Sequence, residues 1–242
     1  MTFKDFDLNP KILKAVAEQN YTTPTPIQQA TIPIVLDGMD VMGCAQTGTG
    51  KTAAFALPIL DRIYSQNEGS KKSKKIKSLV ISPTRELAIQ IEENFKQYST
   101  YTQLKTSSVY GGVSIEQQIE SLVKGVDVLI ATPGRLLDLH KRDIINLDFV
   151  QILVLDEADM MLDLGFIDDI KKITRLCPQE KQTLFFSATM PPKIERLANE
   201  LLSEPEKISV SKGTSAAKTI SQELYRVAKP KKIELCLHLL RN

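Results

Sequence analysis

"DVMGCAQTGTGKTAAFALPIL" (residues 40–60) decides how this chain folds. A short apolar run at 40–45 leads into a Gly- and Thr-rich segment, and an apolar helical pattern then runs from Lys51 to Tyr64. Strand, tight loop and helix form the setting in which a phosphate-binding loop works. Residues 45–52 depart from the usual G-x-x-x-x-G-K-[ST] spelling at one position, where Ala45 stands for the first Gly. Gly43 lies two residues too early to substitute. Alanine adds only a methyl group there and fits at negative φ. Within the loop Gln46, Thr47, Gly48, Thr49 and Gly50 present backbone N–H groups, and the two glycines let these turn toward an anion. The helix N-terminus adds partial positive charge. Lys51 is placed to reach the β- and γ-phosphates, and the Thr52 hydroxyl to hold Mg²⁺. The alternative is an ordinary Gly-rich turn, and the strand–loop–helix setting stands against it.

Further apolar runs follow: "KSLVISP" (77–83), "KTSSVYG" (105–111), "VDVLIAT" (126–132), "VQILVLD" (150–156), "QTLFFSAT" (182–189) and "KISV" (207–210). Most are rich in Val, Ile and Leu without polar alternation, the pattern of strands buried on both faces. Helical patterns separate them. "TRELAIQIEENFKQYS" places Leu87, Ile91 and Phe95 four apart on one face, and another helical stretch covers about 9–36. The expected fold is therefore α/β: a doubly wound, mostly parallel sheet of about seven strands flanked by helices. Ligands in such folds sit at the carboxyl ends of the strands. At one of these ends stand Asp156, Glu157, Ala158 and Asp159. Asp156 is suited to Mg²⁺, directly or through water, and Glu157 to polarising a water that attacks a γ-phosphate. Acidic clusters also cap helices, so "DEAD" alone is weak. Paired with Lys51 and Thr52 it points to a hydrolase, since a small-molecule kinase has no obvious need of the second carboxylate.

Of the 242 residues, 42% are hydrophobic and 25% charged, with a net charge of +2, which neither demands nor excludes a nucleic-acid partner. No run of 18 apolar residues exists, so no membrane partner is expected, and the acidic start of the chain argues against a secretory signal. Cys44, Cys177 and Cys236 fit no zinc spacing and read as free thiols in a reducing cytoplasm. His140 and His238 lack metal-type neighbours and receive no role. Residues 65–77 carry five lysines and read as a solvated loop rather than a nucleic-acid arm. Near the C-terminus, 211–219 read as a linker, and 220–242 as a strand followed by a helix with little of its own domain to pack against. The expectation is a fragment of something longer, or a tail that folds back.

Taken together, these residues resemble the DEAD-box RNA helicases of superfamily 2, and the resemblance covers essentially the whole chain. "AQTGTGKT" (45–52) looks like motif I, in which Ala at the first position is usual, and "DEAD" (156–159) looks like motif II. Ser187, Ala188 and Thr189 match motif III, and "NYTTPTPIQ" (20–28), with Phe3 upstream, resembles the Q motif. "PTREL" (83–87), Gly111–Gly112 and "TPGR" (132–135) match the RNA-side motifs. "MLDLGF" and "QTLFFSATMP" are most similar to the bacterial RhlE-like branch.

The resemblance implies a RecA-like ATP-binding domain over 1–210, with the Q motif region at 1–36, and the beginning of a truncated second RecA-like domain at 220–242. It implies ATP and Mg²⁺ as cofactors. Gln28 would read the adenine edge and Tyr21 would stack on the base. Asn20 departs from the frequent Gly, and Asn tolerates left-handed backbone. Asp159, Ser187, Ala188 and Thr189 would couple the nucleotide site to RNA; the alternative for Ser187 and Thr189 is capping of the helix from Pro191. Pro83, Thr84, Arg85, Gly111, Gly112, Thr132, Pro133, Gly134 and Arg135 would contact an RNA backbone with little sequence preference. A surface ion pair with Glu86 or a neighbouring acid is the alternative for Arg85. The missing second domain would supply arginine fingers, worth about 10³–10⁵-fold in related NTPases. Two rivals stay open: a superfamily 2 ATPase acting on DNA or ribonucleoprotein, and a non-enzymatic RNA-binding module.

Overall fold

The computed structural model describes residues 1–67, 75–210 and 223–241, and the chain divides into two units, Met1–Ser211 and Lys212–Asn242. Seven strands form one sheet in the first unit: β1 (Val41–Cys44), β2 (Ser78–Ile81), β3 (Thr106–Val109), β4 (Val128–Ala131), β5 (Ile152–Leu155), β6 (Gln182–Ser187) and β7 (Glu206–Ser209). Their order is β3-β4-β2-β5-β6-β1-β7, and every pairing is parallel. The strand count and the parallel sheet match the sequence expectation.

The strand order dictates where the helices go. A crossover between parallel strands is right-handed, so the direction of travel across the sheet selects the face. The chain moves one way from β1 to β2 to β3, and the opposite way from β3 through β4, β5 and β6 to β7. Helices α3 (Lys51–Asn67) and α4 (Arg85–Tyr98) therefore share one face with α1 (Pro10–Glu18) and α2 (Pro26–Leu36). Helices α5 (Ile115–Val123), α6 (Pro133–Lys141), α7 (Ala158–Asp163), α8 (Ile167–Leu176) and α9 (Pro192–Leu201) take the other. Alternate strand residues feed two separate cores: Val80, Val154 and Phe186 pack under α3 and α4, and Leu79, Leu155 and Phe185 under the other layer. Strands β2, β4, β5 and β6 are buried at every residue, which is why most of these strands read as continuous apolar runs.

Adjacent strands whose following helices take opposite faces leave a crevice at their carboxyl ends. One such crevice lies between β1 and β6, where Cys44 is level with Ser187. The ends of β5, β2, β4 and β3 are level too: Leu155 pairs with Ile81, Ile81 with Ala131, and Ala131 with Val109. Every motif singled out downstream of a strand therefore lies along one edge of the sheet.

Some expectations shift. Helix α3 continues to Asn67, past the start of the expected lysine-rich loop, and residues 68–74, with Lys71, Lys72 and Lys74, lie outside the described residues. Lys75, the next lysine, sits over the Phe149 ring at 3.6 Å. The linker 211–219 also lies outside them. In the second unit, residues 223–228 carry no strand, which corrects the strand expected there among the described residues. A strand is defined by a ladder partner, and apolar spacing alone supplies none. The expected helix is present as α10 (Lys232–Arg241), none of whose residues is buried. Among the described residues no helix is long and apolar enough to cross a membrane.

Candidate active site

The loop after β1 starts as an extension of the ladder: the Ala45 N–H donates to the Ser187 carbonyl at 3.0 Å. Ala45 is buried and is not among the residues of positive φ, so its methyl group is tolerated as expected. The chain then needs left-handed backbone at Gly48 (φ 76°) and Gly50 (φ 92°). Gly50 is required a second time by packing, since a Cβ there would collide with Gln28 Nε2. The turn is tied internally by Thr49, whose hydroxyl donates to the Gln46 carbonyl at 2.7 Å. It delivers Lys51, only 5% exposed, at the start of α3.

Two strands away β5 ends in the acidic pair. The Asp156 N–H continues the sheet by donating to Ile81 O at 3.0 Å. Glu157 is left-handed (φ 54°, ψ 51°), a conformation that costs a non-glycine residue about 1–2 kcal/mol. The turn brings Glu157 Oε1 to 2.8 Å from Lys51 Nζ. The sequence-predicted amine and carboxylates, 106 residues apart in the chain, thus meet in one buried cluster. Asp156 is 5% exposed and Glu157 7%. Burial pushes the Asp156 carboxyl up to about 6; the Lys51 ammonium opposes the rise, and the Glu157 carboxylate adds to it. Two buried carboxylates against one ammonium favour a further cation. The hard oxygens of Asp156, with the Thr52 hydroxyl next to Lys51 in sequence, fit Mg²⁺, which takes few protein ligands and completes its shell with phosphate and water.

A cavity of about 280 Å³ opens onto this cluster, lined by Thr47, Gly48, Gly50, Lys51, Thr52, Asp156, Glu157 and Tyr21. Another wall comes from α4, through Leu87, Gln90, Ile91, Asn94 and Tyr98, residues to which the sequence reading gives no part in the site. Leu87 and Ile91 share this wall, as their common face implies; Ile91 and Phe95 also join the core, whereas Leu87 is only half-buried. Tyr21 is 39% exposed, stacks on Phe3 with centroids 6.2 Å apart, and has its hydroxyl 3.3 Å from that of Tyr98. Asn20 before it is left-handed (φ 58°), as that residue type allows. Gln28 is 4% exposed; its Oε1 accepts from the Thr25 N–H at 2.9 Å and its Nε2 donates to the Gly50 carbonyl at 3.2 Å. It braces the Q segment against the loop and does not line the cavity itself, although its amide has one further donor and one further lone pair. A larger cavity, about 550 Å³, is lined by the start of the chain and by parts of α2 and α3, with Asp5, Asp7, Asp37, Asp61 and Arg62. It has no Gly-rich turn at a helix start, so the chemistry of a phosphate site favours the smaller one.

Ser187 and Thr189 are not helix caps: the N-cap of α9 is Pro191, and no side-chain cap bond is made there. They bind Asp159 instead. The Thr189 amide and hydroxyl donate to Asp159 Oδ2 at 2.9 and 2.8 Å, and the Asp159 N–H donates to Ser187 Oγ at 3.2 Å. The Ser187 hydroxyl in turn donates to the Thr189 carbonyl at 2.7 Å, and the Ala188 N–H reaches Asp159 Oδ1 at 3.5 Å. Burial alone would raise the Asp159 carboxyl; hydrogen bonds from Thr189 and Ser187 outweigh it and hold the carboxyl below its ordinary value.

Farther along the same edge are the residues expected to face a nucleic-acid backbone. Gly111, Gly112 and Gly134 are exposed, and a side chain at any of them would meet open space. Thr84 Oγ1 caps α4 by accepting the Leu87 N–H at 3.3 Å, whereas Thr132 precedes α6 without a side-chain cap bond. The Arg85 guanidinium lies over the Tyr110 ring at 5.2 Å rather than in an ion pair with Glu86. Pro83 and Pro133, expected among the contact residues, are both buried. Pro133 sits in the first turn of α6, where its missing N–H costs nothing. Arg135 donates Nη1 to Gln118 Oε1 at 2.9 Å and Nη2 to the Val113 carbonyl at 3.0 Å, so two of its donors serve the protein.

Comparison with known proteins places this geometry. The family described as DEAD/DEAH box helicase matches residues 25–197. The chain is 45% identical over 239 residues to the DEAD-box ATP-dependent RNA helicase RhpA of Helicobacter pylori (strain B128), covering 99% of this chain and 47% of that protein. It is 44% identical over 238 residues to the ATP-dependent RNA helicase CshA of Listeria monocytogenes, covering 98% and 45%. The chain therefore spans about half the length of the curated relatives it matches. Among solved structures, a DEAD box protein from Methanococcus jannaschii superposes with a TM-score of 0.81 at 36% identity, over 100% of this chain and 64% of that one.

Proposed function

The chain belongs to the DEAD/DEAH box helicase family, and from that premise we propose that it is the ATP-binding first core domain of an RNA-stimulated helicase. The observation that carries the reading is the buried cluster of Lys51, Asp156 and Glu157 beside the loop at 45–52. Lys51 binds the β- and γ-phosphates, and the loop N–H groups line the remaining phosphate oxygens. Asp156 and Thr52 would hold Mg²⁺, which when bound would supply positive charge beside the phosphates. Glu157 orients the attacking water and takes its proton. Tyr21 supports the base, and Gln28 reads the adenine edge with its remaining donor and lone pair. Asp159 and its bonds to Ser187, Ala188 and Thr189 link the end of β5 to the end of β6, so movement of one reaches the other. RNA runs along the ends of β2, β3 and β4, where Thr84, Arg85, Gly111, Gly112, Thr132, Gly134 and Arg135 hold its backbone.

Residues 220–242 belong, in this reading, to the beginning of a second RecA-like domain, and the protein acts in the cytoplasm. Assignment to the RhlE-like branch rests on the wording of residues 161–166 and 182–191 alone. Steady-state turnover tests the function. In a protein carrying both core domains, RNA should stimulate Mg-ATP hydrolysis and DNA of the same sequence should not. The 242-residue chain alone should open no duplex. Equal stimulation by DNA would favour a DNA-directed ATPase, RNA binding indifferent to nucleotide would favour a non-enzymatic module, and unwinding by this chain alone would refute the division of labour.

A further inference from the structure

The RNA edge is held together by a side chain that none of its motifs contains. Gln118 lies on α5 and is 8% exposed. Its amide pairs with both backbone groups of Tyr110: Nε2 donates to the Tyr110 carbonyl at 3.0 Å, and Oε1 accepts the Tyr110 N–H at 3.3 Å. The same Oε1 accepts Arg135 Nη1 at 2.9 Å, and Arg135 Nη2 reaches on to the Val113 carbonyl at 3.0 Å. The Tyr110 ring lies beneath the Arg85 guanidinium. One amide thus ties together the exits of β3 and β4, and through Tyr110 the exit of β2.

The chemistry is specific to glutamine. Pairing with a peptide needs a donor and an acceptor on one planar group, and glutamine supplies both. Asparagine is one methylene shorter, glutamate has no donor when ionised, and a half-buried backbone group left without its partner is destabilising. Between the two anchored points, Tyr110 and Val113, lie Gly111 and Gly112, exposed and free of side chains. Gly112 is left-handed (φ 81°). We infer that Gln118 is a positioning residue that fixes the 110–113 turn and the Arg135 guanidinium in register, so that both meet the same sugar-phosphate backbone. The inference rests on the RNA-side reading above.

The test uses the 242-residue chain, a fluorescein-labelled single-stranded oligo(U) RNA and a salt titration. Gln118→Met keeps the length of the side chain and removes the pairing. Gln118→Glu keeps the acceptor for Arg135 and removes the donor to Tyr110. Both should weaken RNA binding, Gln118→Met by about tenfold, the scale of a hydrogen bond to a charged group. The slope of log affinity against log salt should flatten by about 0.7 for each phosphate that the variant no longer neutralises. Hydrogen exchange at the Tyr110 amide should accelerate in Gln118→Met, which lacks the oxygen that accepts its N–H. A purely architectural glutamine would lower the melting temperature and leave the slope untouched. If Gln118→Met melts before it can be assayed, Gln118→Glu carries the test. Wild-type slope and affinity in the variants, with RNA bound by the parent, would overturn this inference alone. No RNA binding by the parent would overturn the proposed function and this inference with it.

Discussion

Lys51→Ala should weaken the binding of an adenine nucleotide by about 100-fold, measured by titration calorimetry. Truncating one member of a buried, hydrogen-bonded charge pair costs about 2–5 kcal/mol, and 100-fold lies near the low end of that range. The ammonium is 5% exposed and 2.8 Å from Glu157, so water cannot replace it cheaply. The substitution also leaves Asp156 and Glu157 buried together without their counter-ion, which should lower the melting temperature. A double-mutant cycle separates the two effects. Adding Glu157→Gln to Lys51→Ala removes one of the stranded charges and should recover part of the stability, but it should not recover affinity, because the phosphate partner is still missing. Nucleotide affinity equal to the parent's in Lys51→Ala would remove the phosphate role.

Glu157→Gln in the two-domain protein should keep ATP and RNA binding and lower turnover by about 10²–10⁴-fold, the usual contribution of a positioned general base. The amide keeps the size and an oxygen for Lys51 Nζ, but it cannot take a proton from water. Nucleotide affinity should hold or rise, because a neutral oxygen competes less for the ammonium than the carboxylate does. The left-handed backbone at Glu157 belongs to the same logic: the chain holds a strained conformation that points this carboxylate at the phosphate-binding amine. Single-turnover hydrolysis measures the effect, and an unchanged rate would reject Glu157 as the group that activates water.

The sheet and the phosphate side of the site were legible because both are written locally. Ala45 to Thr52 specify a strand, a turn and a helix start within one stretch, and Asp156 and Glu157 follow directly on the apolar run of β5. Parallel strands with level ends then bring such stretches together without further information. What was hidden depends on contacts between distant side chains. Gln118 reads as one more polar residue on a helix, and only the fold shows it against Tyr110 and Arg135. The α4 wall had a faint signal: Leu87, Gln90, Ile91, Asn94 and Tyr98 follow one another at spacings of three and four, or one, and so lie on neighbouring rows of the helix. Pro83 and Pro133 are buried, a placement that depends on the packing around them and that their motifs do not spell out.

The most direct test of the central claim, that Lys51, Thr52, Asp156 and Glu157 surround a magnesium-bound triphosphate beside an adenine-selective pocket, is calorimetric titration of this chain with ATP and GTP, each with and without Mg²⁺. Binding of ATP that strengthens with Mg²⁺ and exceeds that of GTP is the result expected. GTP bound as tightly as ATP, or ATP binding indifferent to both Mg²⁺ and the Lys51→Ala substitution, would contradict it.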